Sequence, residues 1–377
     1  MMNIPLSKPW ITEDDIKEVA EVLKTPNLSL GPKLLEFENM LLRVSGRKFA
    51  VAVNSGTSAL HLIIRSLGIK DGDEVITTPF SFIASSNCIL FERAKPVFVD
   101  IDPNTYNINP ELIEEKITDK TKAILAVDVF GQPASWDRLI EIAKKYNLYL
   151  IEDSAEAIGS EYKGKPAGSF GVASVFAFYP NKQITTGEGG VVLTDDEQIY
   201  KLSKSMRNQG RGEEETWLYH TRLGYNYRIS DINCALGISQ LNRLNKIIEM
   251  RDTVAKMYSQ KLSEVEEVIT PYISPDTTRM SWFVYVIRLK DKFYGKDRNI
   301  IIESLGRRGI QTRNYFEAIH LEPFYAEQFG FKEGDFPVTE FVADRTIALP
   351  FYTTMTEGEV DYVIKNLKEV IYEVKHS

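Results

Sequence analysis

The sequence predicts an α/β protein with a mainly parallel sheet covered by helices on both faces, followed by a smaller α+β unit. Two observations carry the first half. Apolar runs rich in Val and Ile recur from about residue 48, and a helical stretch separates each run from the next. A third carries the second half: after Pro271 that rhythm gives way to one alternating strand-like run between charged helices. The 377 residues exceed the roughly 100–200 usual for one domain, so a large unit over 1–250 and a smaller one over 251–377 are expected.

The elements follow in order. Thr12 with Asp15 three residues on has the form of a capping box opening an amphipathic helix to about Lys24, where Pro26 and then Gly31-Pro32 break the pattern. This N-terminal helix is a candidate to pack with the smaller unit. FAVAV (49–53) precedes a helix near Thr57, and EVIT (74–77) precedes one near Ala84. PVFVD (96–100), AILAVDV (123–129) and LYLIED (148–153) continue the alternation. From Ile229 to about Leu262 the period is helical without Pro or a late Gly, which predicts one long connecting helix. WFVYVIRL (282–289) alternates as a strand does, a helix over 297–308 ends at Gly309, and 356–373 reads as a final charged helix.

Composition excludes several function classes. Hydrophobic residues at 43% and charged residues at 26% fit a globular protein with a sizeable core. No run approaches the roughly 18 apolar residues of a membrane span, and MMNIPLSKPWITEDD lacks the charged-then-apolar pattern of a signal peptide. No membrane partner and a cytoplasmic location are therefore expected. Cys88 and Cys234 lie far apart without a partner motif, which excludes a disulfide framework or a cysteine zinc site. His61, His220, His320 and His376 are scattered, so no metal is expected. A net charge of -8 argues against nucleic acid as a partner. It leaves room for local basic groups that grip one phosphorylated small molecule.

Four stretches carry candidate chemistry. NSGTSALHL (54–62) follows the FAVAV strand. Small residues at a strand-to-helix turn let backbone N–H groups approach a phosphate, and Thr57 and Ser58 add hydroxyl donors. The same residues equally suit a well-capped helix start. In FSFIASS (80–86), Phe82 stands just beyond a strand end, suited to stacking on a ligand ring or to an ordinary place in the core. LYLIEDSAEAIGS (148–160) ends a buried strand in Glu152-Asp153. One of these carboxylates beside a pyridine nitrogen would raise that nitrogen's pKa and keep it protonated; the alternative is that both cap the next turn.

VFAFYPNKQITTGEGGVVLT (175–194) sets Lys182 in a short polar loop between two strand-like runs. Pro180, Thr185, Thr186 and glycines flank it, not the charged neighbours of a surface-helix lysine. A lysine forms a Schiff base only as the neutral amine, so its ordinary pKa of roughly 10.4 has to be lowered. TTGEGG also suits a plain hairpin turn. The combination is what informs: a Ser/Thr cradle, then an acid, then a loop lysine. A lysine, a carboxylate for the ring nitrogen, a phosphate cradle and an apolar face are what pyridoxal 5'-phosphate (PLP) asks of a protein.

The order of motifs resembles the DegT/StrS family of sugar aminotransferases, members of the fold-type-I PLP enzymes. The resemblance runs through IPLSKPWI, LSLGPKLLEFE, GTSALHL, GDEVITTPFSFIAS, AKPVFVDIDPNTYNI, IEDSAEAIGSEYKGK, NKQITTGEGG, RNQGR, LGYNYRISDINCALG, GIQTRNYF and IHLEPFY, almost the whole chain. It implies a large domain with a mainly parallel seven-stranded sheet, a smaller C-terminal α+β domain, and PLP as cofactor. Lys182 in NKQITTGEGG matches the family's Schiff-base lysine, Asp153 in EDSAEA the partner of the pyridine nitrogen, and Phe82 the aromatic covering the ring. Thr57 and Ser58 match the phosphate cradle. Asn226 in GYNYR matches a residue that reaches the cofactor phosphate from the neighbouring subunit, which implies a homodimer with composite active sites.

Two positions depart from the commonest pattern. Glu156 stands where His or Gln is frequent near the ring hydroxyl, a feature shared with perosamine-synthase-like members. Ala177 stands where many members carry a phosphate-binding Ser. The resemblance implies ping-pong transfer of an amino group from an amino acid, by analogy L-glutamate, to a nucleotide-linked keto sugar. Tyr179, Arg228, Arg313 and His320 are candidate substrate contacts, against the plainer readings of surface ion pairs and a structural histidine. Three rivals are weighed. A sister group dehydrates keto sugars with histidine in place of the lysine, and a non-catalytic PLP-binding regulator would keep only the fold. An NAD-binding enzyme needs a GxGxxG turn, which NSGTSA is not.

Overall fold

A computed structural model describes residues 2–212 and 219–376. The strands β1 (Phe49–Val53), β2 (Glu74–Thr77), β3 (Lys95–Phe98), β4 (Thr121–Val127), β5 (Tyr149–Asp153), β6 (Ala173–Ala177) and β7 (Gly190–Thr194) form the expected seven-stranded sheet. Their order is β1-β7-β6-β5-β4-β2-β3. All run parallel except β7, which is antiparallel to both neighbours.

Strict alternation buries both faces. Val51, Val53, Leu125, Ile151, Val175 and Val192 enter one core with helix α3 (Gly56–Ser66). Ala50, Ala52, Phe176, Val191 and Leu193 enter another, shared with α2 (Pro32–Ser45). Ile124, Ala126 and Leu150 pack on the Trp136–Lys145 helix. A parallel strand covered on both sides has no polar face, which is why these runs read as continuous apolar segments.

The predicted capping box holds: the Thr12 N–H donates to Asp15 Oδ2 at 2.7 Å and opens α1 (Glu13–Leu23). The placement of that helix is a correction. It lies against the Asp231–Leu241 helix, whereas the segment ahead of it reaches the smaller unit, Ile4 pairing with Ile310 and the Leu6 carbonyl accepting the Phe351 N–H at 2.9 Å. The single helix expected over 229–262 is also two, Asp231–Leu241 and Leu244–Leu262. Arg243 sits between them with φ -111° and ψ 7°, its guanidinium drawn to Asp15 Oδ2 at 2.8 Å. A partner 228 positions away makes this break, so local periodicity cannot register it.

The 244–262 helix joins two cores. Leu244, Ile247 and Ile248 pack with the large sheet, whereas Val254, Tyr258 and Leu262 pack with a three-stranded antiparallel sheet. That sheet consists of Val268–Ile269, Tyr285–Leu289 and Thr346–Leu349. The helices Gly295–Arg307 and Glu357–Lys375 cover it through Ile301, Leu305, Val360, Val363 and Leu367. Among the described residues no helix is long and apolar enough to cross a membrane.

Candidate active site

The C-terminal ends of β4 and β5 and the long β6–β7 connection converge on one place. In that connection the Lys182 N–H donates to Tyr179 O at 2.9 Å, and the Thr186 N–H donates to Phe178 O at 3.0 Å. Gly187 at φ 81° makes the reversal toward β7. Lys182 is thereby held off the surface, its side chain 11% exposed. Its Nζ lies 3.5 Å from Glu156 Oε1 and 3.9 Å from the centroid of the Phe283 ring.

Glu152 and Asp153 leave β5 on opposite faces, as consecutive strand residues must. Asp153 turns to the lysine side. Its Oδ2 accepts from the Ser85 hydroxyl at 2.8 Å and its Oδ1 from the Ala155 N–H at 3.1 Å. Burial pushes this carboxyl up, and Ser85, Ala155 and the Lys182 charge oppose that shift. Glu152 turns to the other face and accepts the Gly168 and Phe170 N–H groups, both at 2.7 Å.

Glu156 follows one turn later. Its Oε2 accepts the Phe130 N–H at 2.9 Å, from a residue held at φ 60°. Burial also raises this carboxyl, and the nearby Lys182 charge is the largest opposing influence. Beside it Gly131 has φ 93°, and a Cβ there would come within 3.0 Å of the Glu156 carbonyl. This close approach brings the β4 and β5 loops together.

The 54–58 turn meets the same region through β6. A Cβ on Gly56 would stand 2.7 Å from that of Ala177, so the helix start touches the residue five places before Lys182. Ser58 is spent within the turn: its hydroxyl donates to Asn54 Oδ1 at 2.7 Å and its N–H to Ser55 Oγ at 3.1 Å. Gly56 and Thr57, in the first turn of α3, carry N–H groups with no intrahelical acceptor. The capped-helix reading is therefore realised in the geometry.

Phe82 is 61% exposed, which removes the core-aromatic alternative. Its carbonyl lies 3.2 Å from the Ser85 hydroxyl that also reaches Asp153. Asn226 is exposed beside the turn, its carbonyl accepting from Asn54 Nδ2 at 3.4 Å, and Arg228 pairs with Val53 while donating to Asn208 Oδ1 at 3.0 Å. Tyr179 is half exposed, on the far side of the Lys182 turn. Arg313 is exposed and its charge acts on Tyr315.

His320 is a correction. It has no exposed surface, holds Glu340 Oε1 at 3.0 Å, and sits edge-on to Phe331 and Phe336. Burial lowers its pKa, and nothing of its ring is presented to a substrate.

Residue-level reading missed four contributors. Ser85 was visible as a hydroxyl three residues after Phe82 in FSFIASS. Phe283 was hidden in a run that reads as strand. Tyr315 stacks on Phe316 at 5.0 Å and feels the Glu156 charge, and Phe130 stacks on Phe316 at 5.3 Å. Nothing in the spacing of 130, 283 and 315 announces an aromatic wall.

The model of the DegT/DnrJ/EryC1/StrS aminotransferase family matches residues 9–368. The spore coat polysaccharide biosynthesis protein SpsC of Bacillus subtilis is 37% identical, the match covering 98% of this chain and 97% of SpsC. The GDP-perosamine synthase of Escherichia coli O157:H7 is 35% identical, with 98% and 99% covered. The PLP-form structure of Spr1654 from Streptococcus pneumoniae superposes with a TM-score of 0.93 at 31% identity, over 99% of this chain and 100% of that one.

Proposed function

The chain belongs to the DegT/DnrJ/EryC1/StrS aminotransferase family, and on that premise we propose that it moves an amino group from L-glutamate to a nucleotide-linked keto sugar by a ping-pong mechanism at Lys182. The enzyme is a PLP-dependent sugar aminotransferase. The observation that carries the residue assignment is the buried Lys182 amine on the same face of the sheet as Asp153, whose carboxyl feels its charge.

The residues present fit the cofactor. The first turn of α3 would receive the phosphate through the Gly56 and Thr57 N–H groups and the Thr57 hydroxyl, with Ser58, whose hydroxyl is held by Asn54, bracing the turn. Asp153 would partner the ring nitrogen, Phe82 would cover the ring, and Glu156 would stand by the ring hydroxyl. When bound, PLP supplies the carbonyl carbon that carries the amino group and a ring that spreads negative charge.

The rest is done by side chains. Lys182 Nζ, as the free amine, takes the proton from the donor's α-carbon and later returns one to the carbon that receives nitrogen. Asp153, whose rise on burial Ser85, Ala155 and the Lys182 charge oppose, would hold positive charge on the ring nitrogen. Tyr315, Phe316 and Phe130 wall off water on one side. Tyr179, Arg228 and Arg313 remain our candidates for sugar and diphosphate contacts. The exposure of Asn226 beside the 54–58 turn supports a homodimer in which that residue completes the partner's site. A cytoplasmic location suits glutamate and nucleotide-sugar substrates.

The experiment is a panel of nucleotide keto sugars with glutamate, following 2-oxoglutarate and identifying the product by mass and NMR. Activity confined to free amino acids and small keto acids would overturn the sugar reading. Lys182→Ala should abolish both the borohydride-fixable cofactor and turnover, by at least about 10³-fold; a variant retaining both would overturn the lysine assignment.

A further inference from the structure

Transamination releases Lys182 from the cofactor and takes it back in every cycle, so the free amine needs a defined place to wait. The geometry around Nζ describes one. Glu156 Oε1 stands on one side at 3.5 Å and the face of Phe283 on another at 3.9 Å to the ring centroid. An ammonium over an aromatic face is held by the ring quadrupole, more strongly when desolvated. Both neighbours are buried, at 6% and 2% exposure.

Phe283 is not left to find this position by packing alone. Arg251, fully buried in the 244–262 helix, donates Nε to the Trp282 carbonyl and Nη2 to the Phe283 carbonyl, both at 2.7 Å. Its other contacts are Thr353 Oγ1 at 3.3 Å and the Phe351 ring at 4.8 Å, and among the described residues no carboxylate pairs with it. Burial alone pushes this guanidinium down to about 9. A buried cation satisfied by two carbonyls and a hydroxyl is costly, and what it fixes is the backbone at Trp282-Phe283. Trp282 is held there at φ 55°. Just before Trp282, Ser281 Oγ lies 2.8 Å from Ser160 Oγ and accepts from Gln183 Nε2 at 2.7 Å. Gln183, next to Lys182, also donates to the Glu156 carbonyl at 2.6 Å. The segment leading into Phe283 is therefore tied, through Ser281, to the loop of Lys182 and to Glu156.

We propose that Phe283 and Glu156 form the resting position of the Lys182 ammonium, the form the released lysine takes once it has accepted a proton, with Phe283 a positioning residue locked by Arg251. The proposal rests on Lys182 being the cofactor lysine. The position holds the ammonium until its proton is returned, so it governs the protonation of Lys182 and not the binding of substrate.

The test uses the full-length protein, with cofactor and after its removal, and follows acetic-anhydride labelling of Lys182 against pH by peptide mass spectrometry. Phe283→Leu removes the aromatic face and should raise labelling near neutral pH on the order of tenfold. Phe283→Tyr keeps the face and should label within about twofold of wild type. Glu156→Gln should move the profile in the same direction as Phe283→Leu. Circular dichroism checks folding, and Phe283→Met serves if the Leu variant does not fold. Labelling of the folded Leu or Met variant that tracks wild type overturns the proposal, as does a Tyr variant that behaves like Leu. Failure of the underlying reading looks different: wild-type protein would then carry no borohydride-fixed PLP on Lys182, whatever its labelling profile.

Discussion

Glu152 and Asp153 are neighbours at the end of one strand, both carboxylates and both buried, yet they sit in opposite worlds. Asp153 faces the loop of Lys182 and holds one side-chain hydroxyl and one backbone N–H. Glu152 faces a closed loop, whose Gly168 and Phe170 N–H groups it takes while Arg47 takes the carbonyls of Gly168, Phe170 and Gly171. Behind Glu152 lies Asp128, which accepts from the Ala134 N–H, the Trp136 indole and the Ser154 hydroxyl. Burial and the Glu152 charge push Asp128 well above the usual carboxylate range. The difference teaches that a carboxylate's role here follows from strand phase: one residue on, chemistry becomes architecture.

The sharpest way to break that contrast is Asp153→Asn. It keeps shape and the Ser85 contact but removes the charge, so turnover should fall on the order of 10²-fold with the unfolding midpoint unchanged. A folded Asn variant with wild-type turnover would make Asp153 another structural acid. Glu152→Gln should do the reverse. An amide cannot accept both loop N–H groups without turning its own NH₂ toward a donor, so stability should fall by about 3 kcal/mol, read by denaturant unfolding. Activity per folded molecule should stay within about twofold of wild type. An equal loss of turnover at full stability would erase the distinction.

Asp128→Asn sharpens the other half of the comparison. A folded-state pKa raised above the unfolded value near 3.9 means the native protein holds a proton that the unfolded chain has released. Wild-type stability from this pair is thus full below about pH 4 and declines as pH rises toward the folded value. Asparagine mimics the protonated acid and has nothing to release. The variant should gain on wild type as pH rises from about 5, by up to about 1.4 kcal/mol per unit. Urea unfolding at several pH values checks the sign; a variant that loses ground with rising pH would mean that Asp128 is ionised in the fold.

Much of the fold was legible because each parallel strand is short, apolar and followed by a helix. The same double burial hid the phase of β5: Leu150 and Ile151 are both apolar, so nothing marks which acid faces which side. The loop placement of Lys182 and the helix start at Gly56 were readable from small and polar residues. Their meeting at Ala177 was not, since it depends on β7 lying between β6 and β1. Phe283 reads as strand and Arg251 as one charge on an amphipathic helix, because long-range hydrogen bonds leave no local period. His320 looked available as a lone histidine in a polar motif, and the Phe331–Phe336 enclosure that buries it comes from residues farther along the chain.

The smallest expected effect tests how Asp153 keeps its charge. The Ser85 hydroxyl has one proton and two acceptors in reach, Asp153 Oδ2 at 2.8 Å and the Phe82 carbonyl at 3.2 Å. The shorter contact to a charged acceptor is the stronger, so the proton goes to Asp153. That bond favours the ionised acid and opposes the rise that burial imposes. Ser85→Ala removes it without touching the cofactor lysine. The Asp153 pKa should climb, the acid limb of the pH–rate profile should move upward by about one unit or less, and turnover at neutral pH should fall only severalfold. Under the opposite arrangement, with the hydroxyl serving Phe82, the profile would keep its acid limb and the variant would show only a weaker hold on the 80–86 turn.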